Sequence, residues 1–184
     1  MNHEDLKEIL VEQLKDIYSA EKQLTKALPK MAQAATTEEL SSGFEAHLKQ
    51  TKGHVERLET ILEELGENTK GPACKGMEGL IEEGSEVIEN DEFEGEAKDV
   101  ALIAAAQRVE HYEIAAYGCV RAYAERLGLD EAVSLLDHTL EEEKQTDQKL
   151  NQISETLIEN AQMETEEQPG RASDRGRKTK AARA

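Results

Sequence analysis

Apolar residues recur at helical spacing over four long stretches of the chain. Leu10, Leu14, Ile17, Leu24 and Leu28 form one stripe, and Leu40, Phe44, Leu48, Val55, Leu58 and Leu62 a second. Leu102, Val109 and Val120 set the direction of a third, and Leu136, Leu140 and Leu150 that of a fourth. Steps of three and four residues keep each set on one face of a helix turning about 100° per residue. The stripes predict helices from near His3 to about Ala35, from the Thr36-Thr37-Glu38-Glu39 segment to Gly66, from about Glu96 to Leu127, and from Asp130 to about Asn160. Thr36 and Glu39 carry the S/T-x-x-E pattern of a capping box. Asp130 is a good N-cap. Pro29 is expected to kink the first helix or shift its last turns.

The connections differ in length. The first and last are short turns. The middle one spans Gly66 to about Glu96, and it begins with turn chemistry in GENTKGPACKG. The segment MEGLIEEGSEVIEN then reads as a short amphipathic helix. Four long helices joined short, long, short predict an all-α, ferritin-like four-helix bundle. Its one long crossover, containing a short helix, lies between the second and third long helices.

Composition supports this and narrows the function. The chain has 184 residues, 3% aromatics and no tryptophan. Glu, Ala, Leu and Lys dominate, which favours helix over strand. The formal net charge of −18 argues against nucleic-acid binding by the bundle itself, because phosphates would be repelled. No apolar run approaches membrane-spanning length. The N-terminus lacks an apolar signal core, and Cys74 and Cys119 do not make a disulfide framework, so a cytoplasmic protein is expected. The bundle is assigned to residues 1–162 and a disordered basic tail to 163–184. QPGRASDRGRKTKAARA holds six basic residues and one acid, so a weak contact with nucleic acid or an acidic partner is open to the tail, as is a purely solubilising role.

Shifting the sequence by 92 positions superimposes the two halves in pattern: Phe44 falls on Leu136, Leu48 on Leu140 and Leu58 on Leu150. Glu21 then falls on Glu113, and Thr51 on Glu143. Two helical hairpins related by a pseudo-twofold axis would bring these polar positions to one level of the bundle. The helical wheel agrees. Glu21 interrupts the first stripe, His47, Thr51 and His54 lie on the inner face of the second helix, Glu113 lies inside the third with Glu110 at its margin, and Glu143 and Asp147 face inward on the fourth.

One inward Glu is ordinarily a solvated residue, and one inward His a hydrogen-bonded core residue. Tyr112 and Tyr117 read as packing residues, and Glu141 and Glu142 as a solvated face. Acids and imidazoles from four helices at one level are different. Carboxylates sharing a small buried volume repel unless protonated or neutralised. A cation removes that cost, and this donor set suits iron or manganese better than zinc. The candidate metal ligands are Glu21, His47, His54, Glu110, Glu113, Glu143 and Asp147.

The stretches YSAEKQLTKALPKMA, HLKQTKGHVERLE, MEGLIEEG, ALIAAAQRVEHYEIAAYG and TLEEEKQTDQKL resemble the YciE/YciF-type bacterial stress proteins of the ferritin-like superfamily, over nearly all of residues 4–158. The resemblance implies a ferritin-like bundle, a homodimer, a di-iron centre and induction under stress. In the general di-iron pattern two helices each give a Glu and two each give Glu-x-x-His. Glu21 and Glu113 fit the lone-Glu role, with Glu110 as a competitor. Thr51-x-x-His54 lacks the Glu and Glu143-x-x-Thr146 lacks the His, leaving His47 and Asp147 as the nearest groups to compensate. Two iron ions are the expectation, and these departures leave a one-metal or asymmetric site open as well. The expected function is metal binding in the bundle core, with oxidase or peroxide-consuming activity if it is catalytic. A manganese-dependent catalase-like enzyme and a structural bundle without catalysis are the alternatives.

Overall fold

The computed structural model describes residues 2–167, with side chains as far as residue 161. It is all-helical over that range: α1 (His3–Ala34), α2 (Glu38–Glu64), α3 (Lys75–Glu89), α4 (Glu96–Leu127) and α5 (Asp130–Glu167). The helix α5 runs past the expected end near Asn160 and beyond the boundary placed at residue 162. The basic stretch from residue 168 onward lies outside the described residues. Among the described residues no helix is long and apolar enough to cross a membrane.

Local chemistry sets the ends of the helices. Asn2 and Asp5 form a reciprocal box at the start of α1, side chain to backbone at 2.8 and 3.0 Å. Pro29 lies inside α1, and the helix continues to Ala34; the ring removes one backbone donor without ending the helix. At Gly66 and Gly128 the backbone turns left-handed (φ 74° and 73°), and paired backbone bonds close the ends of α2 and α4. Glu67 N–H reaches the Leu62 carbonyl and Leu129 N–H the Ala124 carbonyl, the six-to-one bond of a Schellman motif. A Cβ at either glycine would be strained in that conformation. Asp130 is the first residue of α5 rather than its cap, because the first α5 turn closes on the Leu129 carbonyl.

The capping box expected at Thr36-Thr37-Glu38-Glu39 does not form. Thr37 makes no side-chain cap. A buried carboxylate from the first turn of α4 takes over: Asp99 accepts from Thr36 N–H (2.7 Å), Thr37 N–H (2.8 Å) and the Thr37 hydroxyl (2.6 Å). Asp99 takes the Thr36 N–H that the box would give to Glu39, holds the Thr37 hydroxyl as a donor, and ties the α1–α2 turn to α4. Asp99→Ala should lower stability by about 2 kcal/mol, read as a lower urea midpoint with unchanged helical content at low urea.

Hydrogen-bond registers give the topology. Pairs linking α1 to α2 and α4 to α5 have nearly constant index sums, so each pair is an antiparallel hairpin. After α2 the chain is at the end of the bundle where α1 begins, held by the Lys15–Glu67 ion pair (2.8 Å). Helix α3 then climbs along α1 and α4 to the other end, where α4 starts. Lys98 of α4 fastens the far end of α3, donating to the Val87, Ile88 and Asn90 carbonyls at 2.6–2.9 Å. This is the long crossover of a ferritin-like bundle.

The core is two apolar clusters. One contains Leu28, Phe44, Leu102, Val109 and Leu150. The other contains Leu10, Ile17, Leu58, Val120 and Leu136. Each residue of the first set pairs, across the shift of 92, with a residue of the second. The internal repeat is therefore a physical pseudo-twofold that exchanges the ends of the bundle, and the level it leaves in place is polar.

Candidate metal centre

Between the two clusters every long helix contributes a buried polar residue. Glu21 comes from α1, His47, Thr51 and His54 from α2, Glu110 and Glu113 from α4, and Glu143 from α5. The inward positions follow from helical spacing. Glu21 is one turn from Ile17. His47 and His54 are seven residues apart and share a face, and Glu110 and Glu113 are three apart.

Two ligand groups result. His47, Glu110, Glu113 and Glu143 form one, and Glu21, His54 and Glu143 the other; within each, one donor atom per residue lies within 4.8 Å of all the rest. Glu143 belongs to both. His54 Nδ1 is 3.2 Å from Glu21 Oε1 and 2.9 Å from Glu143 Oε1. His47 Nε2 is 3.3 Å from Glu110 Oε1 and 3.9 Å from Glu143 Oε2.

Each histidine points one nitrogen inward while an outer partner holds the other. His54 Nε2 is 3.1 Å from Glu142 Oε2, and Arg57 holds Glu142 at 2.7 Å. His47 Nδ1 is 3.3 Å from the Thr146 hydroxyl. Outer partners of this kind fix the tautomer and ring orientation of metal-ligating imidazoles. The Tyr117 hydroxyl donates to Glu21 Oε1 at 2.5 Å, and Glu21 Oε2 keeps no hydrogen-bond partner.

The remaining polar atoms test whether a cation fits. Glu21 Oε2, His47 Nε2, Glu110 Oε2 and both carboxylate oxygens of Glu113 and of Glu143 are buried without a hydrogen-bond partner. Every one belongs to the two ligand groups. Some sit close together, but their alignment is wrong for hydrogen bonds. Buried polar atoms in native proteins are otherwise almost always paired. Such a concentration of unpaired donors at one level could hold a cation, and the donor set of carboxylates with two imidazoles fits iron or manganese.

Electrostatics agree. Burial, followed by the neighbouring carboxylates, pushes Glu110 and Glu113 well above the usual carboxylate range, and burial raises Glu21. Glu143 also suffers from burial, but His54 and His47 hold it below the usual value. Burial works against the charged form of His54 too, yet Glu143 and Glu21 bring it up to about 10. His47 is lowered by burial. Metal binding at this centre would have to displace protons.

The structure brings together six of the seven residues read from sequence: Glu21, His47, His54, Glu110, Glu113 and Glu143. Asp147 is not with them. One turn beyond Glu143, it is half-buried and pairs with Gln107 and His111, each at 3.3 Å, because that is what α4 presents at its level. Glu142 also differs from expectation: it is half-buried and positions His54 instead of belonging to a solvated face. Its partners lie on α2: His54 and, three residues on, Arg57, which holds Glu142 at 2.7 Å. Tyr117 packs as expected and also donates to Glu21. The departures from Glu-x-x-His compensate within the structure: His47 occupies the group that lacks a Thr146 imidazole, and Glu110 joins Glu113 where Thr51 offers no carboxylate.

The profile of the family described as Domain of unknown function (DUF892) matches residues 5–163. The chain is 51% identical over 155 residues to Protein YciF of Escherichia coli (strain K12), spanning 84% of this chain and 93% of that protein. The crystal structure of the E. coli stress protein YciF superposes with a TM-score of 0.81 at 50% identity, covering 84% of this chain and 97% of that one. YcfI from Rhodopseudomonas palustris superposes with a TM-score of 0.75 at 44% identity, covering 82% and 94%. Profile, sequence and fold agree that this chain belongs to the DUF892 family and is a relative of YciF.

Proposed function

We propose that this chain is a ferritin-like stress-response protein whose bundle centre holds two metal ions, iron in the first place and manganese as the alternative. One observation carries the reading: two groups of buried candidate ligands share Glu143, and among the described residues the buried side-chain polar atoms without a hydrogen-bond partner all lie in them. Iron bound there would supply one-electron redox chemistry toward oxygen or a peroxide. The protein's own part is positional. Glu142 and Thr146 aim His54 and His47 inward, Tyr117 occupies one oxygen of Glu21 and leaves the other free, and apolar clusters flank the polar layer above and below. A homodimer is part of the proposal, and light scattering on the intact chain tests it.

YcfI is described, provisionally, as a structural protein. A bundle without chemistry would bind no iron and consume no oxidant. Anaerobic titration with ferrous iron, followed by exposure to oxygen and then peroxide, separates the readings. The proposal expects two ferrous ions per chain and oxidant consumption in proportion to the bound iron. Binding of neither iron nor manganese in defined medium would refute it.

A further inference from the structure

A cavity of about 230 Å³ lies between α1, α3 and α4 and reaches the metal centre. Leu28, Met31, Leu80, Ile81, Ala105 and Val109 line it, and His47 and Glu110 also contribute to its lining. These two are buried, and each keeps an atom, Nε2 or Oε2, without a hydrogen-bond partner. The exposed Lys26 and Lys30 border the cavity as well, so it opens to solvent on that side of α1. One route thus runs from solvent, between apolar walls, to His47 and Glu110 of the four-residue ligand group.

The occupant is constrained by size and polarity. The space is larger than the cavity of about 150 Å³ that suffices for benzene, yet far too small for a peptide helix. Its walls are mostly hydrocarbon, so a charged body would be stranded there. The chain's own end from residue 168 has no apolar residue beyond alanine to fill it. We infer that the cavity is a binding site for a small uncharged alkyl compound, seated against the crossover helix α3 and presented to the metal centre. By comparison with the benzene-sized cavity, a straight chain of roughly six to eight carbons fills it. This rests on the metal reading for its purpose but not for its detection.

Gly84 offers the means of testing it. A Cβ there would meet Met31 Sδ at 3.9 Å and Ala105 Cβ at 4.0 Å, ordinary contacts with two residues of the wall. Gly84→Ala should therefore leave the space nearly intact, while Gly84→Leu should fill it. Calorimetric titration of the full chain with straight-chain alkanols from butanol upward, with metal content measured on the same samples, is the experiment. Affinity should rise about fourfold per methylene until the cavity is full and then stop rising. Gly84→Leu should abolish saturable binding without changing metal content. Leu80→Ala, which enlarges the space, should move the limit to a longer alkanol, and it carries the test if Gly84→Leu does not fold. No saturable binding by the parent chain, or binding with the same length limit in both variants, would overturn the inference. A sample that binds alkanol but never metal would instead refute the metal centre and leave the cavity standing.

Discussion

Glu143→Ala is expected to remove both ions of the proposed metal pair at once. Among the described residues no other belongs to both ligand groups, so no other single substitution of them should do this. Glu21→Ala should weaken the group built on His54 and spare much of the other, and Glu110→Ala should do the converse. The loss on Glu143→Ala should be about 100-fold or more in affinity for each ion, since even outer partners of metal ligands are worth 10- to 100-fold. Elemental analysis after equilibrium dialysis at graded metal concentrations reads the result. One ion retained at full affinity would show that Glu143 is not shared.

Glu113→Leu should make the metal-free protein more stable. Both Glu113 oxygens are buried and unpaired, and burial and neighbouring carboxylates oppose its ionisation. Exchanging an unsatisfied buried acid for hydrocarbon of similar volume is worth about 1–3 kcal/mol. The same substitution should weaken metal binding at the His47 group, so the gain should vanish or reverse when metal is present. The pH dependence has a definite sign. Glu110, Glu113 and Glu21 hold protons more tightly when folded than at their ordinary value of 4.5. Their contribution is fully present below that value and is lost as pH rises through the folded values. His54 acts in the same direction, with loss completed as pH passes about 10. His47 is depressed and opposes them only below 6.5. Metal-free protein should therefore lose stability between about pH 7 and about pH 9, and added metal should restore more of it at the upper end. Glu113→Leu should flatten the slope in metal-free urea titrations. An unchanged slope would mean that Glu113 does not carry this cost.

Much of this arrangement was legible in the sequence because helical periodicity is strict. The stripes through Leu10, Phe44, Leu102 and Leu136 located the four long helices, and the unequal connections gave the crossover. Interruptions of those stripes marked Glu21, His47, His54 and Glu143. What escaped depended on distant partners. Asp99 displaced the capping box because it arrives from α4, more than sixty residues away. Asp147 shares the inward direction of Glu143, but its depth along the bundle is set by the level at which α4 presents Gln107 and His111. Glu142 looked solvated because its reason for facing inward, His54 with Arg57, lies on another helix. A helical wheel gives direction around an axis; it does not give the neighbour found there.

Anomalous X-ray scattering from crystals of the full chain grown with ferrous iron, and separately with manganous ion, tests the central claim most directly. The account predicts two peaks at the metal's absorption edge in the polar layer, one beside His54 and Glu21 and one beside His47, Glu110 and Glu113, with Glu143 reaching both. A layer without peaks in either metal, its carboxyl groups bonded to one another or to water, would contradict it.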